Sequence, residues 1–318
     1  MTAGTSPPNS RGRSSQEKKF DDFFVGLTVA FAVAIGLVLL GIGLVILLQS
    51  LPALREFGLG FLVSSRWNPV EGQEIYGALP MIYGTLVSSA IALILAIPLG
   101  VGTAIFLSED FIPLQIRTVL VFMVELLAAI PSVVYGFWGI FVMIPFTKII
   151  GTWLYNHFGW FPLFSTPPVG PGMLPAGMVL AIMILPIITA ISRDSLAALP
   201  PDLRQASLGL GATRWGTIFR VLLPAAFSGI VGGIMLALGR AMGETMAATM
   251  IIGNSNQLNF SLLAPANTIS SLLANQFAEA KGLQVSALMY AALVLLVMTL
   301  IVNVLAQLIV NRIQAKYD

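Results

Sequence analysis

Six long apolar blocks dominate the hydrophobic pattern, at residues 23–48, 79–107, 118–146, 173–192, 225–252 and 283–310, separated by polar or Gly/Pro-rich connections. About 20 apolar residues suffice for a helix to cross ~30 Å of hydrocarbon, so the pattern predicts six membrane-spanning helices. Phe23–Leu48 carries no charge and would extend about 39 Å at roughly 1.5 Å per residue. That is too long for the apolar core of a signal peptide, and no small-residue cleavage site follows, which predicts a retained first span. Prolines inside the blocks, among them Pro98, Pro131, Pro145 and Pro186, predict kinks. The connections read differently from one another. Residues 1–19 are basic and rich in Ser and Pro, predicting a disordered tail. Residues 49–78 form a mixed loop with an interfacial stretch, Phe57 to Trp67. A polar turn at residues 108–110 leads into an amphipathic piece that ends at Arg117. Lys148–Gly172 is an aromatic, Gly/Pro-rich loop, residues 253–282 are Asn-rich with a short helical end, and 313–318 is a second tail.

Composition agrees with the pattern. Of 318 residues, 57% are hydrophobic and 9% charged, and mean hydropathy is +0.91; no soluble domain of this size hides so much apolar surface. The predicted class is therefore an all-α polytopic membrane protein, with residues 20–312 as its membrane domain. A net charge of +2 implies no nucleic-acid partner, and the absence of cysteine excludes disulfides and thiolate metal sites. The sole histidine, His157, has no clustered carboxylate or second His and makes a poor metal site; it is expected as a solvated loop residue. Lys and Arg are distributed unevenly. Eleven fall on the side of the two tails and the 193–224 loop, and Arg55, Arg66, Lys148 and Lys281 on the other, with Arg240 in a span. By the positive-inside rule both termini and the 193–224 loop are cytoplasmic.

That loop carries the most structured signal. From Arg204 to Pro224 it reads RQASLGLGATRWGTIFRVLLP. Gln205 to Leu208 propagate a helix, Gly209 and Gly211 interrupt it, and Trp215, Ile218, Phe219 and Leu222 recur at three- and four-residue spacing. The prediction is a short amphipathic helix, a glycine turn, a second amphipathic turn and a descent into the membrane from Pro224. Such an element can offer a shaped apolar face to a cytosolic partner. Gln205-Ala206-Ser207, three residues, Gly211, nine residues, Val221, then Leu223-Pro224 resembles the EAA loop of ABC importer permeases, written E-A-A-x3-G-x9-I-x-L-P. The resemblance implies a coupling helix that docks on an ATP-hydrolysing subunit through Gln205, Ala206, Ser207, Gly211 and Trp215. Gln205 replaces the motif glutamate and Ser207 its second alanine.

A charged pair, Arg240 and Glu244, lies inside the fifth block. Four residues apart, they are expected as neighbours on one helix face. An unpaired charge at mid-bilayer costs about 2.5–3.5 kcal/mol or more, so the pair is expected to face protein or water. The planar donor fork of Arg240 matches a tetrahedral oxyanion, and Glu244 can orient that fork or help release an anion; the alternative is a neutralised pair that only fixes helix register. Glu125 is placed either on the same pathway or near the cytoplasmic interface. Gly229, Gly233, Gly239 and Gly243 allow close helix approach or a smooth pore wall.

The string ALGRAMGETMAATMIIGN, residues 237–254, resembles the fifth span of phosphate-specific (Pst) ABC importer permeases of the PstC type. The resemblance covers roughly residues 20–312. It implies the type I ABC importer permease (MetI-like) architecture, inorganic phosphate import by alternating access, and a place in the bacterial inner membrane. It further implies a homologous second permease, two ATPase subunits that bind ATP and Mg, and an extracytoplasmic phosphate-binding protein, with Arg240 and Glu244 in the substrate path. The chain has no phosphate-cradling G-x4-G-K-[ST] motif and no nucleophile–His–acid set, so it is expected to be a conduit without enzymatic activity or cofactors of its own. Three alternatives stay open. They are an ABC permease for another oxyanion, a proton-coupled secondary transporter using Glu125 and Glu244, and a membrane sensor without flux.

Overall fold

The computed structural model describes residues 15–314 apart from Glu71, without the side chains of residues 15–18, 309, 313 and 314. The tails predicted at 1–19 and 313–318 lie largely outside these residues, but the helix already begins at Ser15, inside the expected first tail. By internal contacts the chain divides into two units, Met1–Leu48 and Gln49–Asp318. The first unit holds most of helix α1 (Ser15–Phe57), whose apolar side chains there are largely exposed, as suits a helix bathed in lipid.

In the second unit the end of α1 is followed by one turn, α2 (Gly60–Val63), and then α3 (Leu79–Ser108). α3 packs along α7 (Met173–Ala197), and the reason is written on its surface. Ser88, Ala92, Ala96, Gly100 and Ala104 recur at four-residue intervals and are all buried. A helix shows one face at that spacing, and a stripe of small residues lets two backbones approach where lipid offers no hydrophobic drive to hold them. A Cβ on Gly100 would press on Ile188 at 2.9 Å, and Thr189 Oγ1 donates across the seam to the Gly100 carbonyl at 3.3 Å. α7 is the central post, with Met173, Val179, Leu180, Ile184 and Ile188 at most 2% exposed.

Between α3 and α7 the chain departs from the expected third span. α4 (Leu114–Ala129) ends where Ile130 turns extended ahead of Pro131, a residue that disfavours helix in its predecessor. The helix restarts as α5 (Ser132–Trp138), widens into a π turn at Gly139–Met143 and continues as α6 (Ile144–Phe158). The membrane-length segment is thus 132–158 rather than 118–146. Lys148 and His157, assigned above to a loop, lie on α6; His157 remains exposed, its Nδ1 2.8 Å from the Trp153 carbonyl and its ring stacked on that indole.

The 193–224 loop folds as its pattern predicts, into α8 (Pro201–Gly209), a turn at Gly211 with φ +85°, α9 (Arg214–Thr217), a π turn at Ile218–Leu222 and α10 (Leu223–Ala225). A 68° bend then leads into α11 (Phe227–Gly243). The fifth block is not one helix. α11 stops at Gly243 and α12 (Met246–Ile251) follows after a break. α13 (Ile269–Gln276) and α14 (Leu283–Gln314) complete the fold. Among the described residues, five helices are long and apolar enough to cross a membrane, or six if the bent segment 214–243 counts as one span. No strand occurs among the described residues, apart from one isolated bridge between Asn68 and Ile75.

Of the segment between α12 and α13, the first half keeps Asn254, Gln257 and Phe260 exposed, whereas the second half is packed. Ser261, Asn267 and Thr268 are buried, and the backbone zips onto residues 163–174 through Leu262 N–H to Leu163 O and Leu174 N–H to Leu262 O, both 2.9 Å. Asn254 takes a left-handed φ of +53°, a conformation Asn tolerates better than most residues. Its amide donates to the Thr249 carbonyl at 2.8 Å and accepts from Ser271 Oγ at 2.7 Å. Asn and Ser are chosen here for backbone capture.

Candidate functional site

Arg240 sits in the last turn of α11 with its side chain exposed. It lines a groove of about 780 Å³ together with Ile187, Gly232, Gly239, Asn303 and Gln307. Among the described residues its guanidinium makes no hydrogen bond and no ion pair. Nearby on α5, the Tyr135 hydroxyl donates to the Leu127 carbonyl at 2.8 Å.

The expected one-face pairing of Arg240 with Glu244 does not form. Glu244 is past the helix end in an extended conformation, ψ 125°, so the i, i+4 geometry is lost. Its carboxylate Oε1 instead accepts from the Ala247 backbone N–H at 3.3 Å, at the start of α12. The broken helix also frees backbone carbonyls. Met242 O accepts from Ser270 Oγ at 3.1 Å, and Gly243 O from Thr245 Oγ1 at 3.2 Å. Glu125 lies on α4, ahead of the third span, and meets Arg193 of α7 at 3.6 Å rather than Arg240 or Glu244.

Of the five glycines of α11, the four singled out in the sequence divide by role. A Cβ on Gly229 would overlap Ser195, and one on Gly233 would press on Ile191 at 3.0 Å, so this pair brings α11 against α7. Cβ atoms on Gly239 and Gly243 would meet nothing within 4 Å. The first pair is a packing seam and the second an open wall beside Arg240.

At the 193–224 loop a second constellation is built. Leu208 and Leu210 are exposed, Leu210 by 90%, as are Gln205, Ala206 and Gly211. Ser207 is half-buried because its hydroxyl shares a 2.9 Å hydrogen bond with Thr217 Oγ1, tying α8 to α9. Trp215 is 56% exposed yet oriented, stacked on Phe219 and tilted against Phe111, with centroids 5.9 and 5.6 Å away. A cavity of about 600 Å³ opens between Ser207, Thr213, Trp215 and Phe219.

Sequence reading missed what fastens this loop. Arg204 Nε donates to Glu109 Oε1 at 3.0 Å and its Nη2 to the Leu196 carbonyl at 3.1 Å. Arg214 donates to the Asp110 carbonyl at 2.9 Å and lies over the Phe111 ring, 4.7 Å from its centroid. Arg117 closes the set on Asp110 at 2.8 Å. The acidic turn after α3 looks like a plain polar connection in sequence, because its partners are about a hundred residues away.

The profile of the family described as binding-protein-dependent transport system inner membrane component matches residues 96–316. A phosphate transport system permease protein PstC from Mesorhizobium japonicum is 44% identical over 93% of this chain and 91% of its own length. The Haemophilus influenzae protein of the same description is 43% identical over 92% and 94%. A probable ABC transporter permease protein of Bacillus subtilis, YqgH, is 37% identical over 79% and 77%. Two solved inward-facing forms of the MetNI methionine ABC transporter contain a chain of the same fold, with TM-scores of 0.51 and 0.52 at 19% and 20% identity, covering 74% of this chain and 94% of theirs.

Proposed function

Because the chain belongs to the family of binding-protein-dependent transport inner membrane components, and within it to the PstC-type permeases, we propose that it moves inorganic phosphate into the cell by alternating access. The observation that carries this reading is Arg240: a guanidinium in a membrane span, unpaired among the described residues and open to a groove. Leaving such a charge in lipid costs about 2.5–3.5 kcal/mol or more. Water and a tetrahedral oxyanion in the groove relieve that cost, and the donor fork supplies charge-assisted hydrogen bonds to the anion. Glu244 is close in sequence but engaged at α12, leaving the fork free for substrate.

The energy source lies in partner chains. Of two ATPase subunits that bind ATP and Mg, one docks on Gln205, Ala206, Ser207, Gly211 and Trp215, where exposed Leu208 and Leu210 and the oriented indole offer an apolar face. A homologous second permease completes the conduit, and an extracytoplasmic binding protein delivers phosphate. The chain lies in the bacterial inner membrane with both termini cytoplasmic, following its Lys/Arg bias. A proton relay through Glu125 and Glu244 finds no support, since one carboxylate is paired with Arg193 and the other caps α12.

The test is Arg240→Ala in the assembled complex. Uptake of labelled phosphate is expected to fall at least tenfold with assembly intact. Normal uptake by a correctly assembled mutant refutes the role.

A further inference from the structure

Opposite Arg240 the groove is walled by α14, and there this otherwise apolar helix is polar. We propose that Asn303 and Gln307 form the second wall of the anion path, passing phosphate from Arg240 toward the end of the bundle that bears the 193–224 loop. The proposal rests on the reading of Arg240 as an anion site.

Three observations converge. Asn303, Gln307 and Asn311 recur every four residues and so share one face of α14. An amide in hydrocarbon without partners is costly. Gln307 Nε2 donates to Asn311 Oδ1 at 3.1 Å, whereas the Asn303 side chain has no hydrogen bond among the described residues. Both Asn303 and Gln307 line the groove that contains Arg240. The wall across from them is bare, because Cβ atoms on Gly232 and Gly239 would meet nothing within 4 Å.

The direction follows from helix geometry. Side chains tilt toward the N-terminus of their helix, so Arg240 reaches back along α11 toward Gly232 and the bend at the loop. α11 and α14 are joined at the opposite end of the bundle, so α14 runs the other way, and residues 303, 307 and 311 descend in the direction in which Arg240 points. Chemistry favours amides for this stretch. A neutral amide adds no net charge of its own, so it holds an oxyanion less tightly than a guanidinium does, and a path must bind weakly enough for its cargo to leave. A second arginine would trap what Arg240 releases.

The chain has no cysteine, which makes the test direct. Single cysteines are placed at 303 and 307, and at 301 and 305 on the far face, where Ile301 and Leu305 are exposed. The complex with its partner subunits is treated with a hydrophilic anionic methanethiosulfonate, and modification of this chain is read by mass. Cysteines at 303 and 307 are expected to react at least tenfold faster than those at 301 and 305, and Asn303→Leu and Gln307→Leu to lower phosphate uptake at least fivefold. Equal, slow labelling at all four positions overturns the proposal. So does labelling at 303 and 307 in the isolated chain that disappears in the complex, which would make the groove a seat for another subunit. Normal uptake by both leucine variants also overturns it. Labelling reads water access without phosphate, so an unmodified complex that fails to take up phosphate refutes the importer reading separately.

Discussion

Arg204→Met should loosen the 193–224 loop from the bundle while leaving the membrane core alone. Arg204 holds α8 by two charge-assisted hydrogen bonds, to Glu109 Oε1 at 3.0 Å and to Leu196 O at 3.1 Å. The carboxylate partner is only 11% exposed and the guanidinium 24%. Hydrogen bonds to charged groups contribute about 1.5–3 kcal/mol each. Water reaches a quarter of the arginine, and the methionine stem keeps part of its packing, so the net loss is about 2 kcal/mol for the pair. That corresponds to a ~30-fold rise in the population of the detached loop, at about 1.36 kcal/mol per factor of ten. Amide hydrogen exchange on the assembled complex reads it directly. Residues 201–209 should exchange ~30-fold faster, with α3 and α7 unchanged, since local openings report local free energy. Glu109→Gln, which keeps an acceptor at the same place, should cost about 1 kcal/mol. The transport readout is the amount of phosphate moved per ATP hydrolysed, which should fall as the loop moves without dragging α3. Unchanged exchange in α8, or an equal rise throughout α3 and α7, refutes the claim that this pair is the fastening.

Three further outcomes follow from particular contacts. Gly84→Ala drives a Cβ into the Asn267 carbonyl and should destabilise by about 2 kcal/mol or more, seen as a lower melting temperature of the purified complex. Gly211→Val imposes a branched side chain on φ +85° at a cost of about 1–3 kcal/mol; uptake should drop sharply, with Gly211→Asn milder because Asn tolerates the left-handed region. Burial first and the Glu74 charge second push the Tyr76 phenol above its usual value. The unfolded chain therefore ionises first, so stability is full below about pH 10 and declines as pH rises further. Tyr76→Phe should make that decline shallower, and because the buried hydroxyl has no hydrogen-bond partner, it should cost little at neutral pH.

Much of the plan was legible in sequence because it rests on local rules. Apolar length marked the starts of α3, α7 and α14, and glycine and proline placement marked the α8–Gly211–α9 loop and its descent at Pro224. The third span was misplaced because apolar content continues across the Ile130–Pro131 break, so composition could not mark where the helix stops and restarts. Arg240 and Glu244 were found by their cost in a membrane, yet their pairing was not, since nothing in GRAMGET announces that α11 ends at Gly243. Glycines 229 to 243 look alike as letters; only the position of α7 makes Gly229 and Gly233 a seam and leaves Gly232, Gly239 and Gly243 open. The clasp of Glu109, Asp110 and Phe111 on Arg204 and Arg214 and the polar stripe of α14 depend on tertiary neighbours, which spacing cannot supply.

The most direct test of the account is labelled phosphate uptake into vesicles containing this chain with its candidate partner subunits, with and without ATP. The account predicts uptake that requires ATP, is indifferent to a protonophore, and disappears on Gly211→Val. Uptake that proceeds without ATP and collapses with the proton gradient would contradict it.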